Sequence, residues 1–258
     1  MLTNEQIRAI AMAQSAIDSG CRAEDFLSAE SRTVLSRPHP DARRYLELPF
    51  FCDLTTYGAG IVASVAPQIE KFVRDYITRY PSEHCFETPH MQVLNDELKK
   101  HGMAVCFMAE YWLPDAELLS PLPCGYETRL LSPGDFALLY TKEWSNALCE
   151  KRKHLDRIAV GAYDGDQLIG LAGASADCGT MWQIGIDVLP AYRRRGIASA
   201  LTSRLAREIL ARDIVPFYCC AWSNVASARN AVRSGFRPAW VQITAKPREF
   251  VDKMNGVR

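Results

Sequence analysis

The stretch that decides the fold is Val188-Leu189-Pro190-Ala191-Tyr192-Arg193-Arg194-Arg195-Gly196-Ile197-Ala198-Ser199. Upstream of it, Met181–Leu189 reads as a strand ended by Pro190. Downstream, Ile197, Leu201, Leu205 and Ile209 recur every four residues, which predicts an amphipathic helix over Gly196–Arg212. A strand therefore runs through a basic turn into a helix that opens on small residues. The first backbone N–H groups of a helix lack internal acceptors and lie at the positive end of its dipole. An anion held there gains hydrogen bonds and a favourable field. Gly196 and Ala198 leave those amides uncovered. Arg193, Arg194 and Arg195 place guanidinium forks at the rim, a geometry suited to phosphate oxygens. Three basic residues alone would read as a solvated turn or a nucleic-acid patch. The Gly196-x-Ala198 spacing after a strand favours a diphosphate.

The flanking chain keeps the same rhythm. Arg157–Tyr163 and Leu168–Ala174 are apolar runs separated by Asp164-Gly165-Asp166-Gln167, a hairpin signal. Thr128–Leu131 reads as a short strand and Asp135–Glu150 as helical. After the central helix come a strand at Val215–Trp222, a short helix at Ala226–Ser234 stopped by Gly235, and a last strand at Phe236–Ala245.

The spacing Arg193-x-x-Gly196-x-Ala198 resembles the Q/R-x-x-G-x-G/A signature of the GNAT acyl-CoA N-acyltransferase superfamily. A second motif agrees with it: Asn224, Ala228 and Gly235-Phe236 stand after a strand as in that family's next strand–helix unit. The resemblance covers about residues 127–246. It implies an α/β (α+β) chain: a C-terminal GNAT fold with a mixed, splayed central sheet flanked by helices, plus a smaller, mostly helical N-terminal α/β domain.

The same resemblance implies acetyl-CoA as co-substrate, with its diphosphate over the amides of Arg194, Arg195, Gly196, Ile197, Ala198 and Ser199. The pantetheine arm would pair with the strand at Ile186–Val188, with Asn224 and Ser227 beside it. Transfer would be direct: a neutral amine attacks the thioester, a base takes a proton and an acid serves the leaving thiolate. Many members carry a Tyr four residues before the Gly of the G-F pair, but here that position is Ala231. Tyr218, Cys219, Cys220 and Ser223 are the candidates for the acid, and Asp187 or an ordered water at Gln183 for the base. Asp187 also reads as a structural partner of an arginine, and Asn224 as a helix cap.

The N-terminal half is read from periodicity. Asn4 caps a helix over residues 4–18 that ends at Gly20, and the chain to about Gly60 is irregular, with Asp53–Gly60 as loop and turn. Pro67–Tyr80 and Met91–Lys100 read as helices, and Ala104–Trp112 as a strand. Leu113–Gly125 holds Pro114, Pro121 and Pro123, which is linker chemistry. The domains expected are 1–115, packing beside the acceptor site, a linker at 116–126, and the acetyltransferase domain at 127–258.

With 30 basic and 30 acidic residues, no net field points to nucleic acid or an anionic membrane. The nine cysteines form no C-x-x-C pair, so neither a disulfide framework nor a zinc site is expected, and no metal. There is no signal peptide and no apolar run of about 20 residues, so a cytoplasmic protein is expected, as monomer or homodimer. The partners expected are acyl-CoA and a primary amine of a small molecule or peptide. The alternative, prompted by Ala231, is a catalytically weak acyl-CoA-binding sensor or partner-binding module.

Overall fold

A computed structural model of the chain describes residues 2–256. The first elements are α1 (Asn4–Ser19), β1 (Arg32–Leu35), β2 (Cys52–Thr56), β3 (Ile61–Val65), α2 (Glu70–Arg79), α3 (Thr88–Lys100) and β4 (Met103–Pro114). There follow β5 (Glu127–Leu131), β6 (Asp156–Asp164), β7 (Gln167–Ser175), β8 (Met181–Val188) and α4 (Ile197–Leu210). The chain continues through β9 (Val215–Ala221), α5 (Val225–Arg233), β10 (Phe236–Pro247) and α6 (Arg248–Met254). This mixed α/β chain packs as two compact units. One takes the chain up to Ala11 with Trp112–Pro238, the other Met12–Tyr111 with the chain from Ala239 onward. Among the described residues no helix is long and apolar enough to cross a membrane.

In the unit that holds Met12–Tyr111, β1 pairs parallel with β3, β3 antiparallel with β2, and β2 antiparallel with β10. Along the helix predicted at Pro67–Tyr80, of the apolar stripe Ile69, Phe72, Val73, Tyr76 and Ile77, Phe72 is half-buried and the rest are buried, as are Leu94 and Leu98 of α3, in one cluster with Leu54, Ile61, Ala63 and Val65. The region expected to be irregular up to Gly60 thus contains two strands, and Asp53–Gly60 is half strand. Two things hide them. They are four or five residues long, and in β2 the buried polar residues Asp53 and Thr55 interrupt the apolar pattern. Helix α1 is capped by Thr3 rather than Asn4: Thr3 Oγ1 accepts from Gln6 N at 3.2 Å and Gln6 Oε1 accepts from Thr3 N at 2.9 Å. Asn4 instead bonds Asp115 Oδ1 and the Ala116 amide, at 3.1 and 2.7 Å.

Asp53 is fully buried and accepts from Gln242 Nε2 at 2.9 Å, Thr244 Oγ1 at 2.6 Å and Thr55 Oγ1 at 3.2 Å. Burial raises its pKa from the ordinary 3.8 to about 6, against the pull of those three bonds. Between those values the folded chain holds a proton that the unfolded chain has released. The contribution of Asp53 to stability is therefore fully present below 3.8 and is lost as the pH rises through about 6. We expect Asp53→Asn, which keeps an acceptor for Gln242 and Thr244, to show a shallower fall of melting temperature than wild type between pH 5 and pH 7.5. Parallel curves for the two chains would show that Asp53 does not titrate in that window.

In the other unit, β5, β6, β7, β8 and β9 lie side by side in chain order. The pairs β5–β6, β6–β7 and β7–β8 are antiparallel and β8–β9 is parallel. The predicted hairpin is present, with Gly165 at φ +60° in its turn. Side chains alternate across the sheet with period two. Val160, Ala172 and Ile184 face α4, whose Ile197, Leu201, Leu205 and Ile209 are all 1% exposed or less. At this contact β7 carries Gly170, where a Cβ would lie 2.9 Å from Ile197 Cγ2.

The opposite face is covered by residues 133–155, and here the structure departs from the expected helix over Asp135–Glu150. The segment is a series of 3-10 turns, Pro133–Asp135, Lys142–Trp144 and Glu150–Leu155, that seats Phe136, Trp144, Ala147 and Leu148 on Ala159 and Leu171. The reason is a notch in the sheet. Gly173 and Gly185 are register partners, and a Cβ on them would lie 2.0 Å from Ala147 O and 1.8 Å from Asn146 O. The backbone at 146–147 rests directly on the strands. An α-helix, about 10 Å across with its side chains, cannot approach that closely.

Candidate active site

Strands β8 and β9 begin as neighbours and then part. Their register runs from Met181↔Val215 to Ile184↔Tyr218. Beyond it, β8 continues to Val188 and β9 to Ala221, each without a ladder partner from the other. On its far side β8 stays bonded to β7 through Gly170↔Val188. Gly185, Ile186, Asp187 and Val188 are all half-buried. One edge of β8 therefore opens into a cleft just before the chain turns into α4.

At the head of that cleft stands the N-terminus of α4. Gly196 is its cap residue at φ +79°, and the first helical bond runs from Ala200 N to Gly196 O at 3.1 Å. The amides of Ile197, Ala198 and Ser199 precede that bond, so they have no acceptor within the helix. A Cβ at Gly196 would meet nothing within 4 Å, so the space in front of the turn is open. Ser199 Oγ donates to Gly196 O at 3.0 Å.

The three arginines have different settings. Arg193 Nε donates to Val188 O at 3.0 Å, tying the turn to the end of β8. Arg195 donates to Tyr126 Oη at 2.6 Å and to Ala191 O at 3.2 Å, and lies over the Tyr192 ring. Arg194 is exposed and makes no hydrogen bond or ion pair among the described residues. It also sits at φ +65°, a conformation uncommon for any residue but Gly. The sequence could not distinguish these three; the fold leaves Arg194 alone with a free guanidinium.

Asn224 caps α5, its Oδ1 accepting from Ser227 N at 3.1 Å, and its side-chain nitrogen makes no bond among the described residues. Ser227 Oγ lies 2.7 Å from Tyr218 Oη. Tyr218 is 3% exposed, and burial raises its pKa although Ser227 and Asn230 oppose the shift. It therefore stays protonated at neutral pH. Ala231 is fully buried in the same apolar cluster as Tyr218, so that position has no room for a larger ring.

Asp187 does not present a free carboxylate. Its Oδ1 accepts from Asn146 Nδ2 at 2.7 Å, and its Oδ2 from the amides of Asn146 and Ala147 at 2.9 and 3.0 Å. The group fastens the 146–147 crossing over the glycine notch. Sequence reading missed these partners because they lie about 40 residues away and the helix predicted there would not have exposed its amides. Gln183 Nε2 reaches Cys219 Sγ at 3.1 Å across the point where the strands part.

A sequence model of the GNAT acetyltransferase family matches residues 66–239. The chain belongs to that family. Among solved GNAT-type structures, a GCN5-related N-acetyltransferase from Kribbella flavida is similar over 93% of this chain and 95% of its own, at 13% identity and a TM-score of 0.50. A GCN5-related N-acetyltransferase-like protein from Streptococcus suis is 19% identical over 62% of this chain and 69% of its own, with a TM-score of 0.44. The chain spans 66% of the length of a GNAT-family protein from Novosphingobium aromaticivorans, at 18% identity and a TM-score of 0.41. No curated protein matches the sequence. A GNAT chain catalyses acyl transfer as a class; at these identities the solved structures speak for the fold alone.

Proposed function

We propose that this GNAT chain takes acetyl-CoA as acyl donor and transfers its acetyl group to a primary amine of a small molecule or peptide. The observation that carries this reading is the parting of β8 from β9 after Ile184 and Tyr218, directly beside the uncovered first turn of α4. The donor set there fits the coenzyme. Backbone amides at the positive end of a helix suit a diphosphate, and a free strand edge suits the amide-bearing pantetheine arm.

In this reading the amides of Gly196, Ile197, Ala198 and Ser199 hold the diphosphate, with Arg194 adding charge at the rim. The backbone of Ile186 and Val188 orients the arm, and Asn224 and Ser227 bound it on the far side. The donor supplies an activated thioester. Tyr218, kept protonated by burial and held by Ser227, protonates the thiolate that leaves as the amine–carbonyl bond forms, and the proton shed by the amine passes through solvent to restore Tyr218. The role proposed for Asp187 is positional: it holds the 146–147 crossing against β8. Arg193 and Arg195 brace the turn.

Replacing Arg194 with Gly separates binding from folding. The left-handed backbone costs a non-Gly residue about 1–2 kcal/mol, so Arg194→Gly should leave the melting temperature unchanged or raised. Losing one charge-assisted phosphate contact should weaken acetyl-CoA binding about 10- to 100-fold, in line with ~1.5–3 kcal/mol for such a bond. Calorimetric titration beside thermal melting checks both. Unchanged affinity would remove Arg194 from the site.

The function itself is tested by thiol release from acetyl-CoA with a panel of amines covering polyamines, aminoglycosides, amino acids and N-terminal peptides. Acceptor-dependent release, with mass spectrometry showing an acetylated amine, is the expected result. Tight acetyl-CoA binding without release for any amine would favour the sensor reading prompted by Ala231.

A further inference from the structure

Helix α5 turns one side inward. Ala231 is fully buried, Asn230 Nδ2 donates to Thr202 Oγ1 at 3.1 Å, and Ser234 Oγ, just past the helix, donates to Ser199 O at 3.3 Å. A different stripe runs along its outside. Val225, Arg229, Val232 and Arg233 fall at i, i+4, i+7 and i+8, and Trp222 stands just ahead of the helix. Trp222, Val225 and Val232 are 48%, 53% and 58% exposed. With Ala228 and the two arginines they line an open groove of about 380 Å³. Single exposed apolar residues are ordinary, but three large ones bordering one groove mark a surface built for contact. Tryptophan and arginine are also the residue types that most often dominate binding energy at interfaces.

Charge narrows the occupant. From Ile214 to Arg248 the sequence has no Asp or Glu, in a chain whose total charge is zero. Arg229 and Arg233 are exposed and make no ion pair among the described residues. A second copy packed two-fold on this helix would bring the same arginines face to face, which like-charge repulsion opposes. A nucleic acid would call for a longer basic track than two arginines. A helix with carboxylates set against Arg229 and Arg233, and leucine-like side chains against Trp222, Val225 and Val232, satisfies both halves of the groove.

We propose that this face of α5 docks an acidic amphipathic helix of a partner protein. The apolar stripe of that helix lies on Trp222, Val225 and Val232, and its carboxylates pair with Arg229 and Arg233. None of the residues lining the groove is assigned to the coenzyme, so the inference does not depend on the acyl-transfer reading.

The test uses the full chain and two labelled synthetic helices of about 18 residues, long enough to hold helical structure. Both carry the same leucine stripe; one has Glu and the other Lys at the remaining positions. Fluorescence anisotropy should show the Glu helix binding at least ~10-fold more tightly than the Lys helix. The double variant Arg229→Glu/Arg233→Glu should reverse that order, and Trp222→Ala should weaken the Glu helix by ~10-fold or more. All three positions are exposed, so circular dichroism and melting should show intact folding. Equal binding of the two helices, insensitivity to charge reversal, or no binding would overturn the proposal. So would a homodimer that Val232→Glu dissociates, which would give the groove to a second copy. Tighter binding of a single-stranded oligonucleotide that requires Arg229 and Arg233 would overturn it as well.

Discussion

A Gly196→Leu chain is expected to bind acetyl-CoA at least ~100-fold more weakly than wild type, a loss of ~2.8 kcal/mol in binding free energy. Two effects combine. The side chain enters the open space in front of the first turn of α4, where a Cβ at Gly196 meets nothing within 4 Å. It also forces a φ of +79° on a residue with a Cβ, at a cost in stability of about 1–2 kcal/mol. The second effect needs a control, and Gly165 supplies it. That glycine sits at φ +60° in the β6–β7 turn, also with nothing within 4 Å. Gly165→Leu should lower the melting temperature about as much and leave acetyl-CoA affinity unchanged. Isothermal calorimetry on both variants reads the difference; equal affinities in the two would detach Gly196 from the coenzyme.

The second large effect is on folding. Gly185→Ala places a methyl group 1.8 Å from Asn146 O, where the obstacle is backbone and cannot rotate away. The 146–147 crossing must lift off the notch, which loosens the three bonds to Asp187 and the seating of Ala147 and Leu148. Overpacking of this kind costs about 1–3 kcal/mol, and a hydrogen bond lost with it about 1 kcal/mol, so a destabilisation of ~3 kcal/mol is expected in urea unfolding. Gly179→Ala, with open space and no left-handed backbone, should change stability by less than ~0.5 kcal/mol. A Gly185→Ala chain as stable as Gly179→Ala would mean the crossing is held loosely.

These two glycines also show where the sequence was readable. Gly196 stood out because its meaning is local: a strand, a turn and a helix start lie within a dozen residues, and the four-residue repeat from Ile197 to Ile209 fixes the buried side of α4. The β6–β7 hairpin was legible for the same reason. Gly185 carried no such signal. It matters only because Gly173 is its register partner and a distant segment lies across both. That segment misled periodicity: Phe136, Trp144, Ala147 and Leu148 are spaced well enough to suggest a helix, yet they are brought inward by successive tight turns. Asp187 suffered likewise, since its three donors come from a part of the chain about 40 residues away. The coenzyme cleft was expected from family resemblance. The parting proposed to house it, β8 leaving β9 after four paired residues, exists only in three dimensions.

A diphosphate held by the first turn of α4 and an arm laid along the free edge of β8 are the two contacts that define the proposed site. Backbone amide NMR of the full chain, with and without CoA, tests this most directly. Large shifts and slowed solvent exchange are expected at Gly196, Ile197, Ala198 and Ser199, together with shifts at Ile186 and Val188. CoA binding that leaves those amides unmoved, or that perturbs a different surface, would contradict it.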